Sequence, residues 1–327
     1  MWVDDTVIVD NDPALRERFV AELGRRFPVE DKGELQWILG VRISRDRRAR
    51  TLTLSQELYV ADLISRFVGL LEGLTRNFDS PCDPANPLSP DQSPTPGSPD
   101  HGRMVELREA YMSLVGAFLW LSNVTRPELA FIAAQLARFV ANPGPPHFRA
   151  ALRVLIYLRG TADRGLVYRP RPSRPFRVFV DSDWGTKFSI SGAVFDFMGC
   201  AVHWFSKTQR SVSLSSTEAE WFAASMAARD GIYLRDLQLD LGLPVLRTLM
   251  RSDNKSVRDL SVDPVAFKKT KHILRSAEYL RDLCHRLFYQ VVWISGDQNP
   301  ADLFTKAHTV AAFRAYLALL DKLDRIE

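Results

Sequence analysis

The order of periodic segments in residues 171–327 constrains the fold more than any other feature of the chain. Phe176 to Val180 alternates as a strand. Ile190 to Phe197 and Cys200 to Phe205 read as two more, with Gly199 at the turn and Val212 to Leu214 extending the third. Thr217 to Leu241 has the length and spacing of a long helix, ended by Gly242 and Pro244. Leu246 to Met250 is a fourth strand, short helices follow near 255–260 and 272–285, Gln290 to Ile294 is a fifth strand, and Pro300 to Leu323 a final helix. The pattern predicts a five-stranded mixed sheet with flanking helices.

Four acids fall at the ends of these segments. Asp181 ends the first strand, Glu220 lies in the first turn of the long helix, Asp253 follows the fourth strand, and Asp302 opens the last helix. Strand ends and helix starts on one edge of a mixed sheet can converge. In-line cleavage of a phosphodiester needs an activated water and a stabilised leaving oxygen, which two metal ions about 4 Å apart supply. Mg²⁺ is hard and prefers carboxylate oxygens. Each acid also has a bland use. Asp181 or Asp183 could be a turn acid, and Ser215 to Glu218 or Thr217 to Glu220 a capping box. Asp253 could cap a helix or form an Asx turn, and Asp302 could complement a helix dipole.

Upstream, residues 1–78 read as a small α/β unit. Pro13 to Phe27 has helical spacing, Val41 to Leu54 reads as a hairpin with a charged turn at Arg45 to Arg48, and Gln56 to Phe67 is helical again. Residues 79–106 form a Pro/Ser-rich linker or exposed loop that is not expected to bury a core. Residues 107–170 form a helical unit: Tyr111 to Asn123, then a helix from Pro127 to about Val140, then His147 to Leu158. Trp2-Val3-Asp4-Asp5 stands before the β-rich run Thr6 to Val9. Adjacent acids are poor strand formers and point to opposite faces, so a tight hairpin offering one of them to a metal accounts for them.

The chain has 327 residues, 46% of them hydrophobic and 25% charged, which suits two or three globular domains. No run of eighteen apolar residues and no basic-then-apolar leader occurs, so neither a membrane span nor secretion is expected. Cys82, Cys200 and Cys284 are few and far apart, which argues against a disulfide framework or a zinc site. A net charge of +4 is mildly basic and fits a solvated surface as well as it fits nucleic acid.

Several blocks together carry a resemblance. Asp31 to Gly40, Tyr111 to Gly116 with Thr125 to Leu129, Leu214 to Glu220, Thr270 to Ile273, and Ala301 to Lys306 occur in the order found in copia-type retrotransposon polyproteins. The chain resembles the C-terminal part of such a polyprotein nearly end to end. The segment order of residues 171–327 is that of the ribonuclease H fold.

The resemblance implies an α/β (α+β) multidomain chain: a partial reverse-transcriptase palm/thumb at 1–78, the linker at 79–106, a helical connection at 107–170, and a ribonuclease H-like domain at 171–327. It implies Asp181, Glu220, Asp253 and Asp302 as ligands of two Mg²⁺ ions, with Mn²⁺ as the alternative. It leaves Glu218 for the helix cap, since Glu218 and Glu220 point about 200° apart. The implied substrate is the RNA strand of an RNA–DNA hybrid, with RNA and DNA as partners, no membrane, an intracellular location in cytoplasm or nucleus, and no defined oligomeric state.

Asp4 and Asp5 correspond to a polymerase remnant. The third aspartate that such polymerases need lies upstream of that hairpin, so polymerisation is not expected from this chain alone. The alternative is an inactive remnant or a nucleic-acid-binding piece of a larger polymerase. Lys271 and His272 could touch phosphate or help product leave, or form a plain basic loop. Leu274 and Glu278 stand where the family has Asp and His. Gly185 to Phe188 replace its charged residues there, which bears on substrate contacts. Trp184, Trp204 and Trp221 could stack on bases, although core packing suits them better.

Overall fold

A computed structural model describes residues 6–185, 188–262 and 274–326. Asp4, Asp5, Lys271 and His272 lie outside the described residues.

The N-terminal part holds helix α1 (Pro13–Gly24), strands β1 (Trp37–Ile38), β2 (Val41–Asp46) and β3 (Thr51–Ser55), and helix α2 (Glu57–Arg66). Asp12 caps α1 through the Ala14 N–H at 2.9 Å, yet α1 buries none of its residues. A strand absent from the sequence reading, β4 (Leu166–Tyr168), completes the first sheet in the order β1-β2-β3-β4. Leu54 pairs with Leu166 and Leu52 with Tyr168, both antiparallel.

Between these strands run helices α3 (Pro99–Val124), α4 (Ala130–Ala137) and α5 (Pro145–Gly160). The proline-rich segment differs from the expected exposed linker. Ser80 and Cys82 are buried, and the Ser80 carbonyl accepts from Arg153 Nε at 3.2 Å. Pro99 occupies the first turn of α3, where its missing N–H costs nothing, and Ser98 caps the helix through the His101 N–H. The helix therefore starts well before Tyr111.

The C-terminal sheet contains β5 (Arg177–Asp183), β6 (Ile190–Phe197), β7 (Cys200–Thr208), β8 (Thr248–Ser252) and β9 (Tyr289–Trp293). Its order is β7-β6-β5-β8-β9; β5–β6 and β6–β7 are antiparallel, while β5–β8 and β8–β9 are parallel. Side chains alternate across the central strand. Val178 and Val180 enter a core shared with helices α6 (Ser216–Asp240), α7 (Lys255–Val262) and α8 (Leu274–His285). Phe179 enters the opposite core, shared with α3, α4, α5 and helix α9 (Val310–Leu320). Burial on both faces explains the apolar run of β5. Trp204 and Trp221 are buried, and Trp204 Nε1 donates to the Ser122 carbonyl of α3 at 2.6 Å.

Two segment expectations change. Strand β7 stops at Thr208, because the side chain of the next residue, Gln209, bonds Ser191, Ser213 and the Ala219 carbonyl, and Leu214 stands exposed. The expected final helix from Pro300 to Leu323 is broken into a 3-10 turn (Pro300–Phe304) and α9. Thr305 ends the first piece by turning its hydroxyl toward Asp181, and Thr309 caps the second. Among the described residues, no helix is long and apolar enough to cross a membrane.

Candidate metal centre

Three elements deliver three carboxylates to one point. Asp181 stands on β5, paired with Gly192 of β6. Glu220 lies in the first turns of α6, whose N-terminus is fixed by Ser215 Oγ accepting the Glu218 N–H at 3.2 Å. Glu218 Oε2 in turn accepts the Leu214 N–H at 2.6 Å, so Glu218 serves the cap and Glu220 faces the sheet. Asp253 follows the last residue of β8. One carboxylate oxygen from each of Asp181, Glu220 and Asp253 lies within 4.8 Å of the others. Asp181 and Glu220 are 4% and 6% exposed.

Asp302 adjoins this cluster but is differently engaged. Its carboxylate pairs with the Lys306 ammonium, and His308 Nε2 lies 3.7 Å from Oδ2. Its charge still reaches Asp181 and Asp253. Burial, followed by the charge of Asp302, pushes the Asp181 carboxyl up to about 7, against the pull of the Thr305 hydroxyl at 2.6 Å. Burial, with the charges of Asp181 and Asp253, holds Glu220 well above the usual carboxylate range. Burial also raises Asp253 and Asp183. Burial alone would lower the Lys306 ammonium, but its hydrogen bond to Asp302 and the surrounding carboxylates raise it.

These residues fit a divalent cation. Glu220 Oε1 accepts the Ser182 N–H at 3.2 Å, whereas Oε2 is buried without a hydrogen-bond partner. Buried carboxylates crowded this closely cannot all ionise unless a cation joins them. The donor set is all carboxylate, with no thiolate or imidazole in the group, and so suits hard ions such as Mg²⁺ or Mn²⁺.

The positions of Asp181, Glu220, Asp253 and Asp302 were legible from the sequence, while the residues that hold them were not. Thr305 and Lys306 lie in the same short block as Asp302, which was the available signal. Tyr316 had none: it is far along α9, yet its hydroxyl approaches the Gly296 carbonyl at 3.4 Å and feels the charge of Asp302. Trp184 is 56% exposed and donates its Nε1 to the Ser213 carbonyl at 3.0 Å.

No protein-family profile matches the chain. It is 33% identical over 311 residues to the retrovirus-related Pol polyprotein from transposon TNT 1-94 of Nicotiana tabacum, covering 94% of this chain and 23% of the polyprotein. A putative transposon Ty5-1 protein of Saccharomyces cerevisiae is 30% identical over 230 residues, covering 69% of this chain and 70% of that protein. Among solved structures, the N-terminal ribonuclease H domain of a Mycobacterium tuberculosis protein aligns with a TM-score of 0.32 at 15% identity, covering 45% of this chain and 98% of that one. This chain thus spans about a quarter of the tobacco polyprotein it matches. With the five motif blocks in order, the tobacco relative matched along 94% of this chain and 70% of the yeast relative covered, the chain belongs to the family of copia-type retrotransposon Pol proteins.

Proposed function

We propose that this chain is a ribonuclease H-type endonuclease region that cleaves the RNA strand of an RNA–DNA hybrid. The observation that carries the reading is the convergence of Asp181, Glu220 and Asp253, with one buried Glu220 oxygen left unpartnered. Asp181, Glu220 and Asp253 would hold the cations, with Asp302 beside them. When bound, two divalent ions would activate the attacking water and stabilise the leaving oxygen of an in-line displacement.

The chain's own residues set up that chemistry. Thr305 orients the Asp181 carboxylate, and the Ser182 N–H orients Glu220. Lys306 offsets charge at Asp302 and can face a phosphate from its half-exposed position. Residues 1–78 correspond in this reading to part of a polymerase palm/thumb, 79–106 to a linker, 107–170 to a connection and 171–327 to the nuclease. RNA and DNA are the partners, and the location is intracellular.

The test is cleavage of a labelled hybrid by the purified chain with Mg²⁺. Cleavage that disappears with EDTA and in Asp181→Asn is expected. Hybrid binding by folded protein without cation-dependent cleavage would overturn the reading and leave a binding remnant.

A further inference from the structure

A cavity of about 740 Å³ opens between the proline-rich segment, α4, α5 and the edge of the acidic cluster. Its size lies within the range of ligand pockets, roughly 300–1,000 Å³. Phe78, Pro87, Leu88 and Phe131 give it flat apolar walls. Its near end is formed by Asp183 and Lys306, and Lys306 is the residue paired with Asp302. The cavity therefore adjoins the acidic cluster.

One polar group in the lining lacks a partner. Gln135 is 7% exposed and its Oε1 accepts from Arg138 at 2.6 Å, but its Nε2 is buried with no hydrogen bond. A buried amide donor without an acceptor is costly, so a ligand acceptor that Nε2 meets once the side chain turns toward the cavity is favoured. Arg149 also lines the cavity and is exposed, within reach of a phosphate in solvent. Arg153 is already engaged by the Ser80 carbonyl and, at 3.6 Å, by Asp83.

We infer that this cavity receives an unpaired nucleotide of the strand whose backbone lies at Asp181, Glu220 and Asp253. The inference rests on the nuclease reading above. Proline and phenylalanine walls accept the face of any base. An amide N–H answers an acceptor on a base edge, and a rim arginine answers the phosphate. An apolar peptide segment would fill the walls but leave Gln135 Nε2 unpaired. Asp183 and Lys306 set the cavity beside the acids, next to a strand bound there.

The experiment measures binding of RNA–DNA hybrids to the full chain in EDTA. The hybrids carry a short RNA overhang of either polarity that ends in a fluorescent aminopurine or an abasic residue. For one polarity, the aminopurine signal should change on binding, and the abasic overhang should bind roughly tenfold more weakly. Gln135→Leu should weaken the base-bearing hybrid and leave the abasic one unchanged. Arg149→Gln, a surface change that spares the fold, should weaken both and lower the salt dependence by about one ion.

Equal affinity of wild type for base-bearing and abasic overhangs overturns the inference, as does an equal loss on both in Gln135→Leu. A chain that cleaves hybrids but ignores the base refutes the cavity assignment alone. A chain that distinguishes the base but never cleaves refutes the nuclease reading alone.

Discussion

The Thr305 hydroxyl donates to Asp181 Oδ2 across 2.6 Å, joining the turn before α9 to the central strand of the C-terminal sheet. Thr305 Oγ1 also lies 3.1 Å from the Asp302 backbone carbonyl, so one hydroxyl stands between the Asp181 carboxylate and the backbone of Asp302. Thr305→Val keeps the shape and removes the bond. The expected loss in hybrid cleavage is about tenfold, corresponding to ~1.4 kcal/mol, with Thr305→Ser close to wild type. Because the hydroxyl pulls the Asp181 carboxyl down, the valine variant should also need a higher pH for full activity, read from a pH–rate profile.

Stability without metal should fall as pH rises. Burial and neighbouring carboxylates push Asp181 up to about 7 and raise Glu220, whereas carboxyls in an unfolded chain titrate near ~4. Between about pH 4 and about 7 the folded chain keeps protons that the unfolded chain has released, so unfolding becomes easier across that window. Thermal melts in EDTA should give a Tm that drops toward neutral pH. Asp181→Asn should flatten the drop, and excess Mg²⁺ should reverse it. A Tm in EDTA that climbs through this window would contradict the placement of these acids in a crowded, buried cluster.

Arg177 and Asp196 form a buried pair across β5 and β6, with Nε donating at 2.8 Å. Arg177 also donates to the Ile326 carbonyl at 2.6 Å and the Leu323 carbonyl at 2.7 Å. Arg177→Met would leave Asp196 buried without its cation and release the final turn. Urea denaturation should show a loss of about 3–5 kcal/mol, and the last residues should become sensitive to protease.

Gly192 lies where the 3-10 turn crosses β6. A methyl there would meet Thr305 Cγ2 at 2.7 Å and the Ala301 carbonyl at 2.9 Å. Gly192→Ala should cost about 1–3 kcal/mol by overpacking. It should also reduce cleavage more than Gly24→Ala, where a methyl meets open space.

The sheet was legible because its strands carry period-two alternation or fully apolar runs, and the long helix because its apolar spacing runs for many turns. The acids at the ends of those elements followed. What stayed hidden depends on contacts between distant residues. Strand β4 is three residues long and becomes a strand only by pairing with β3. The break after Phe304 follows from Thr305 meeting a carboxylate 124 residues away. Pro81 and Cys82 look like linker, and their burial depends on Arg153 and the helices over them.

Phe179, Val194 and Trp204 of the C-terminal sheet share one core with Phe118, Leu121 and Leu155 of the preceding helices. Residues before position 171 thus form the second layer of the sheet that bears the acids. A cut near residue 170 would open a wet seam through hydrophobic interior, and the downstream piece alone would show a sticky, half-clad sheet. The two pieces, co-expressed, should find each other and behave as one protein, in the manner of a split reporter.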